Sequence, residues 1–114
     1  MSMVFPRRGD IFWVSLDPTL GSEVNKTRPG VVVSNDEANE VSSRVIIAPI
    51  TSSAKRVLPF EVAIKLGSKK GKVMLDQIRS IDKKRLGKLI TTCDGDTIDA
   101  IDDALQIALG LMYG

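Results

Sequence analysis

Hydrophobic residues in this chain fall mostly in short runs or alternate with a period of two, and only the C-terminal end switches to a helical spacing. Asp10 to Leu16 (DIFWVSL) is aromatic and β-branched and stops at Asp17-Pro18, which predicts a strand closed by a turn. Phe12 and Trp13 within it are expected to pack in the core. Gly30 to Ser34 (GVVVS) and Val45 to Ile50 (VIIAPI) are apolar runs suited to buried strands, and NDEANEVSSR between them predicts a polar turn or a short exposed helix. Pro59 to Lys65 sets Phe60, Val62 and Ile64 against Glu61, Ala63 and Lys65, the alternation of a strand with one wet face. GSKKGK from Gly67 to Lys72 then predicts a hairpin with a basic tip, leading into KVMLDQIRSID. A last extended piece, Leu89 to Thr92, brings the expectation to about six strands.

From Ile98 onward, Ile101, Leu105, Ala108, Leu109 and Met112 form a helical stripe. Asp96 or Thr97 can cap its start, and Asp99, Asp102 and Asp103 in the first turns complement the positive end of the helix dipole. The predicted fold is mostly β with α: a small SH3-like antiparallel barrel or curled sheet, closed by a C-terminal helix. At 114 residues, 43% hydrophobic and 26% charged, the chain is expected to form one domain spanning residues 1–114.

Composition narrows the chemistry. A single cysteine, Cys93, rules out an intramolecular disulfide and is expected as a buried thiol, and the absence of histidine removes the commonest transition-metal ligand, so no cofactor is expected. No apolar run approaches the length of a membrane span and the start MSMVFPRRGD has no hydrophobic leader, so a soluble, cytoplasmic protein is expected. The net charge of +2 conceals a division: Lys65 to Lys88 holds nine Lys and Arg against Asp76 and Asp82, while Asp94 onward holds five Asp and no base. The basic segment suggests a phosphate-bearing partner. GSKKGKV has too few residues between its glycines for a phosphate loop, and DGDTID lacks the glycine placement and final glutamate of a calcium loop, so these two read as a turn and a helix start.

RNA can be cut without histidine or metal, because the 2′-hydroxyl is an internal nucleophile that needs orientation, proton transfer and stabilisation of a dianionic phosphorane. A long polar loop brings Glu23, Asn25, Lys26, Thr27 and Arg28 together before one buried strand, and Thr51, Ser52 and Ser53 follow directly after another. If those strand ends are neighbours, a guanidinium, a carboxylate and hydroxyls converge; otherwise Arg28 is an ion-pair partner and Thr51 a turn residue.

RGDIFWVSLDPTLGSEVNKTRPGVVVSND resembles the opening of the MazF/PemK (Kid) family of toxin endoribonucleases, and APITSS, LPFEVAI and LDQIRSIDKKRL resemble its later segments in order and spacing, from about Arg8 to Leu111. The resemblance implies a CcdB-like barrel and the toxin of a toxin–antitoxin pair, cutting single-stranded RNA without a metal to leave a 2′,3′-cyclic phosphate and a 5′-hydroxyl. It places the family's catalytic arginine on Arg28, its threonine on Thr51 and the loop glutamate on Glu23. Arg28 is expected chiefly to stabilise phosphorane charge, because an arginine is an awkward base, which leaves protons to Glu23 or water. Thr19, Asn25, Lys26, Thr27, Ser52, Ser53, Asp76, Gln77 and Arg79 are expected RNA contacts. The resemblance further implies a homodimer and a cognate antitoxin whose disordered acidic segment covers the groove. A CcdB-type toxin directed at gyrase, or a barrel that binds RNA without cutting it, are the alternatives.

Overall fold

The computed structural model describes residues 4–16, 27–52 and 55–111 of the chain. Its strands are β1 (Asp10–Ser15), β2 (Thr27–Val32), β3 (Arg44–Thr51), β4 (Glu61–Leu66), β5 (Lys69–Met74), β6 (Arg79–Asp82) and β7 (Leu86–Thr92), with helices α1 (Asp36–Val41) and α2 (Gly95–Leu109). Every pairing is antiparallel, in the order β4-β5-β3-β2-β1-β7, with β6 added to β3. The described residues therefore form seven strands rather than six, the extra one being the short β6, and β5 absorbs most of the expected basic tip.

β3 organises the sheet. On one side it pairs with β2; on the other, Arg44 to Ile47 pair with β6 and Ile50 and Thr51 pair with β5. One strand shared between two sets of neighbours must bend, and twist carries the sheet round with it. Among the described residues the end strands β4 and β7 do not pair with each other, so the expected barrel is a curled half-barrel.

The period of two sorts side chains between two cores. Ile11, Val31, Ala48, Ile50, Val62, Val73 and Leu75 meet Ile101 and Ala104 of α2, while Val14, Val32, Val45, Ile47 and Ile81 pack on the other face with Phe12, Leu16 and Leu86. Each such aliphatic side chain withdrawn from water contributes roughly 1.5–3 kcal/mol, and a one-residue slip in β2 or β3 would exchange the two sets.

Several expectations are corrected. α2 starts earlier than its apolar stripe suggests: its cap is Asp94, whose carboxylate accepts a 2.8 Å hydrogen bond from the Thr97 N–H, and not Asp96 or Thr97. That N–H holds the Asp94 carboxyl below the usual carboxylate range. Leu109 is exposed, Gly110 closes the helix in the left-handed conformation, and Met112 lies outside the described residues. Asp102 does more than complement the dipole, since it pairs with the Arg8 guanidinium, whose Nε also donates to the Val33 carbonyl at 3.0 Å. The polar stretch after β2 is a short helix, α1, capped by Asn35. Phe12 packs against the second core as expected, but Trp13, on the same face of β1 as Ile11, is 44% exposed. Cys93 packs at the edge of the first core, and burial raises its pKa, which suits a structural thiol.

Candidate active cleft

β2 begins and β3 ends at the same edge of the sheet. Gly30 pairs with Pro49 and Val32 with Ile47, and beyond the last of these pairs Arg28 and Thr51 both reach the hollows at this edge. A guanidinium and a hydroxyl therefore face the same space. β6 starts at the same edge and adds Arg79, while the 3₁₀ turn Leu75–Gln77 adds Gln77. Leu16, Arg28, Pro49, Thr51, Met74, Gln77 and Arg79 line a cleft of about 370 Å³. Arg28 and Arg79 are exposed, and no carboxylate among the described residues pairs with either.

Arg28 and Thr51 also line a second hollow of about 460 Å³ on the other side of their strand ends. Trp13 and Ile90 form one wall, Leu66 and the β4–β5 hairpin the other, and Pro29 and Ile50 lie between them, with Thr27, Ser52, Lys69 and Lys70 also in the lining. That hairpin turns on Gly67 and Ser68, with φ of 63° at Gly67, the left-handed value a two-residue turn requires at its first position.

Two features hold Thr51 in place. A Cβ on Gly71 would lie 2.6 Å from the Thr51 carbonyl oxygen, so glycine alone lets β5 approach the end of β3 this closely. Lys72, one of the cations expected on an exposed basic tip, is instead buried within β5, where it pairs in register with Thr51 on one side and Ala63 on the other. Its Nζ donates to Glu61 Oε1 at 2.9 Å and to the Arg56 carbonyl at 3.1 Å, while Glu61 Oε1 accepts the Leu58 N–H at 2.9 Å. The Lys72 and Glu61 side chains are only 10% and 7% exposed, so this pair pins the segment returning from the cleft. The Leu58 N–H and the Lys72 ammonium together hold the Glu61 carboxyl below the usual carboxylate range.

The sequence profile of the PemK-like, MazF-like toxins of type II toxin–antitoxin systems matches residues 7–109. The chain belongs to this family. It is 40% identical over 111 residues to Endoribonuclease EndoA of Bacillus subtilis (strain 168), covering 93% of this chain and 96% of that protein. Its structure is similar to that of an endoribonuclease in complex with its cognate antitoxin from a mycobacterial species, with a TM-score of 0.81, 28% identity and coverage of 96% of this chain and 99% of the other. MazF of Deinococcus radiodurans is likewise similar, with a TM-score of 0.77, 31% identity and coverage of 95% and 99%.

In this MazF-like chain the structure brings Arg28, Thr51, Gln77 and Arg79 into one cleft and places Thr27 and Ser52 in the adjoining hollow. Asp76 is exposed on the Leu75–Gln77 turn and does not line the cleft. Thr19, Glu23, Asn25, Lys26 and Ser53 lie outside the described residues. Sequence reasoning missed Gly71, Lys72 and the exposed Trp13. A glycine inside a strand is itself a signal of close backbone approach, whereas an inward lysine is visible only once its carboxylate partner is placed.

Proposed function

We infer that this chain is the toxin of a type II toxin–antitoxin pair and an endoribonuclease that cuts single-stranded RNA, acting in the cytoplasm as one toxin domain over residues 1–114. The observation that carries the reading is that Arg28 and Thr51 line one open cleft at adjoining strand ends, where no described carboxylate pairs with the arginine. The family match and the endoribonuclease relatives support it. Among the described residues no helix is long and apolar enough to cross a membrane.

In this reading a phosphodiester lies in the cleft with its non-bridging oxygens facing the Arg28 fork. The substrate's 2′-hydroxyl oxygen attacks phosphorus as it loses its proton, and the bond to the 5′-oxygen breaks as that oxygen gains one. The products carry a 2′,3′-cyclic phosphate and a 5′-hydroxyl. Arg28 stabilises the charge that accumulates on the phosphorane, and the Thr51 hydroxyl donates to one of its oxygens. Glu23 or water takes the proton. Gln77, Arg79, Thr27 and Ser52 hold the strand on either side, joined in the reading by Asp76, Thr19, Asn25, Lys26 and Ser53. The working form is a homodimer, and a cognate antitoxin with a disordered acidic segment silences it by competing with phosphates for the same cations.

The purified protein, incubated with a long unstructured RNA in EDTA, is expected to give discrete cuts with 5′-hydroxyl ends. Intact RNA across several sequences would favour the gyrase-directed or binding-only alternatives.

A further inference from the structure

Arg79 lines two hollows. One is the cleft, and the other, of about 490 Å³, follows β6 and is lined also by Ser15, Arg44, Ser80, Asp82, Lys84 and Arg85. β6 pairs only with β3 among the described residues, so this hollow is the seam left where the half-barrel fails to close. Four cations and one carboxylate face it, and that carboxylate, Asp82, already accepts the Lys84 N–H as a helix cap. The cations are partly fixed in position. Arg44 donates from Nε to Ser80 Oγ at 2.9 Å and from Nη2 to the Ser80 carbonyl at 2.7 Å, which orients its guanidinium before any ligand arrives. Arg85 reaches across the seam to the Ser15 carbonyl at 3.4 Å.

We propose that this seam is a second RNA subsite, joined to the cleft through Arg79, in which Arg44 and Lys84 hold backbone phosphates of the strand flanking the scissile bond. The proposal rests on the endoribonuclease reading and extends it. A single strand presents a phosphate at every nucleotide, so a row of cations leading out of the cleft tracks it without further design. Among the lining residues only Ile81 is apolar and none is aromatic, so the subsite grips the backbone and adds affinity independent of sequence. An acidic peptide added as a strand to β6 is the competing occupant. The four residues of β6, bounded by 3₁₀ turns, give such a strand little to pair with, whereas continuity with the cleft favours RNA.

The test compares the wild-type protein with Arg44→Gln/Lys84→Gln and with Lys84→Gln alone, the latter altering one exposed side chain and leaving the Arg44 contacts intact. For a mapped cut site, kcat/KM is measured on the shortest oligonucleotide the wild type still cuts and on versions extended on each side. The expected result is that extension on one side raises wild-type kcat/KM and that the double variant loses most of that gain. Its log–log salt dependence should be shallower by about 1.4, from two phosphate contacts at about 0.7 each on a single strand. Lys84→Gln should show about half that change. An unchanged gain and salt slope in both variants would overturn the proposal. So would retained long-RNA cleavage with lost binding of a poly-glutamate peptide, which would assign the seam to an acidic protein. If wild type cuts no RNA at all, the endoribonuclease reading itself has failed, an outcome distinct from either.

Discussion

Charged residues do opposite work at two places in this molecule. Around α2 and beneath β5 they are enclosed by partners: Arg8 is committed to Val33 and Asp102, and Lys72 to Glu61 and Arg56. At the ends of β2 and β6, Arg28 and Arg79 face an open cleft with no described carboxylate beside them. A cation enclosed with a carboxylate partner serves to hold the fold together, while one that faces solvent without a carboxylate has donors available for a phosphate. In the proposed reading, substrate is held by the second kind, and the first kind holds the strand ends in place.

Substitutions should separate the two kinds, and the largest expected effect is structural. Lys72→Met leaves the Glu61 carboxylate enclosed without its counter-charge, for which a loss of about 3–5 kcal/mol is the usual range. Urea unfolding measures it, and a loss below about 1 kcal/mol would show that the pair is not structural. Next comes Thr51→Val, which keeps the shape and, in the proposed reading, removes one donor to the phosphorane. The expected fall in kcat is about 100-fold, read by single-turnover cleavage.

Gly71→Ala tests whether the fold positions the cleft. A methyl group 2.6 Å from the Thr51 carbonyl must displace one strand, at about 1–3 kcal/mol, and cleavage should fall with stability although no substrate-facing atom is changed. Full activity would mean that the Thr51 backbone position is not critical. The smallest effect is in acid. Glu61 titrates lower in the folded state than in the unfolded chain, so its contribution is complete above the ordinary carboxylate range and is lost as pH falls through the folded value. Glu61→Gln should therefore flatten the acid limb of the stability curve relative to wild type, measured by thermal unfolding across that range.

What could be read from the sequence was local. The alternation in β4, the apolar runs of β2 and β3 and the stripe of α2 each declared their element, because burial of one face imposes a period. What could not be read depended on distant partners. Trp13 sits in an apolar strand, yet it is 44% exposed and lines a hollow shared with the distant β4–β5 hairpin. Lys72 looks like a member of the basic tip until Glu61 is placed opposite the same turn of chain. Three acidic or hydroxyl residues compete to cap α2, and the choice of Asp94 is a matter of where the backbone first turns helical. Arg28 and Thr51 carried the family resemblance, but their convergence on one cleft depends on a pairing of β2 with β3 that only the folded sheet reveals.

The most direct test pairs Arg28→Ala with Arg8→Ala, measuring RNA cleavage per folded molecule and thermal stability for each. Arg28→Ala should lower kcat by about 10²–10³-fold and change stability by no more than about 0.5 kcal/mol. Arg8→Ala should do the reverse, lowering stability by roughly 1.5–3 kcal/mol through lost charged hydrogen bonds while folded molecules cut at the wild-type rate. Wild-type cleavage by Arg28→Ala, or a loss of stability there equal to that of Arg8→Ala, would contradict the division between cations that bind substrate and cations that hold the fold.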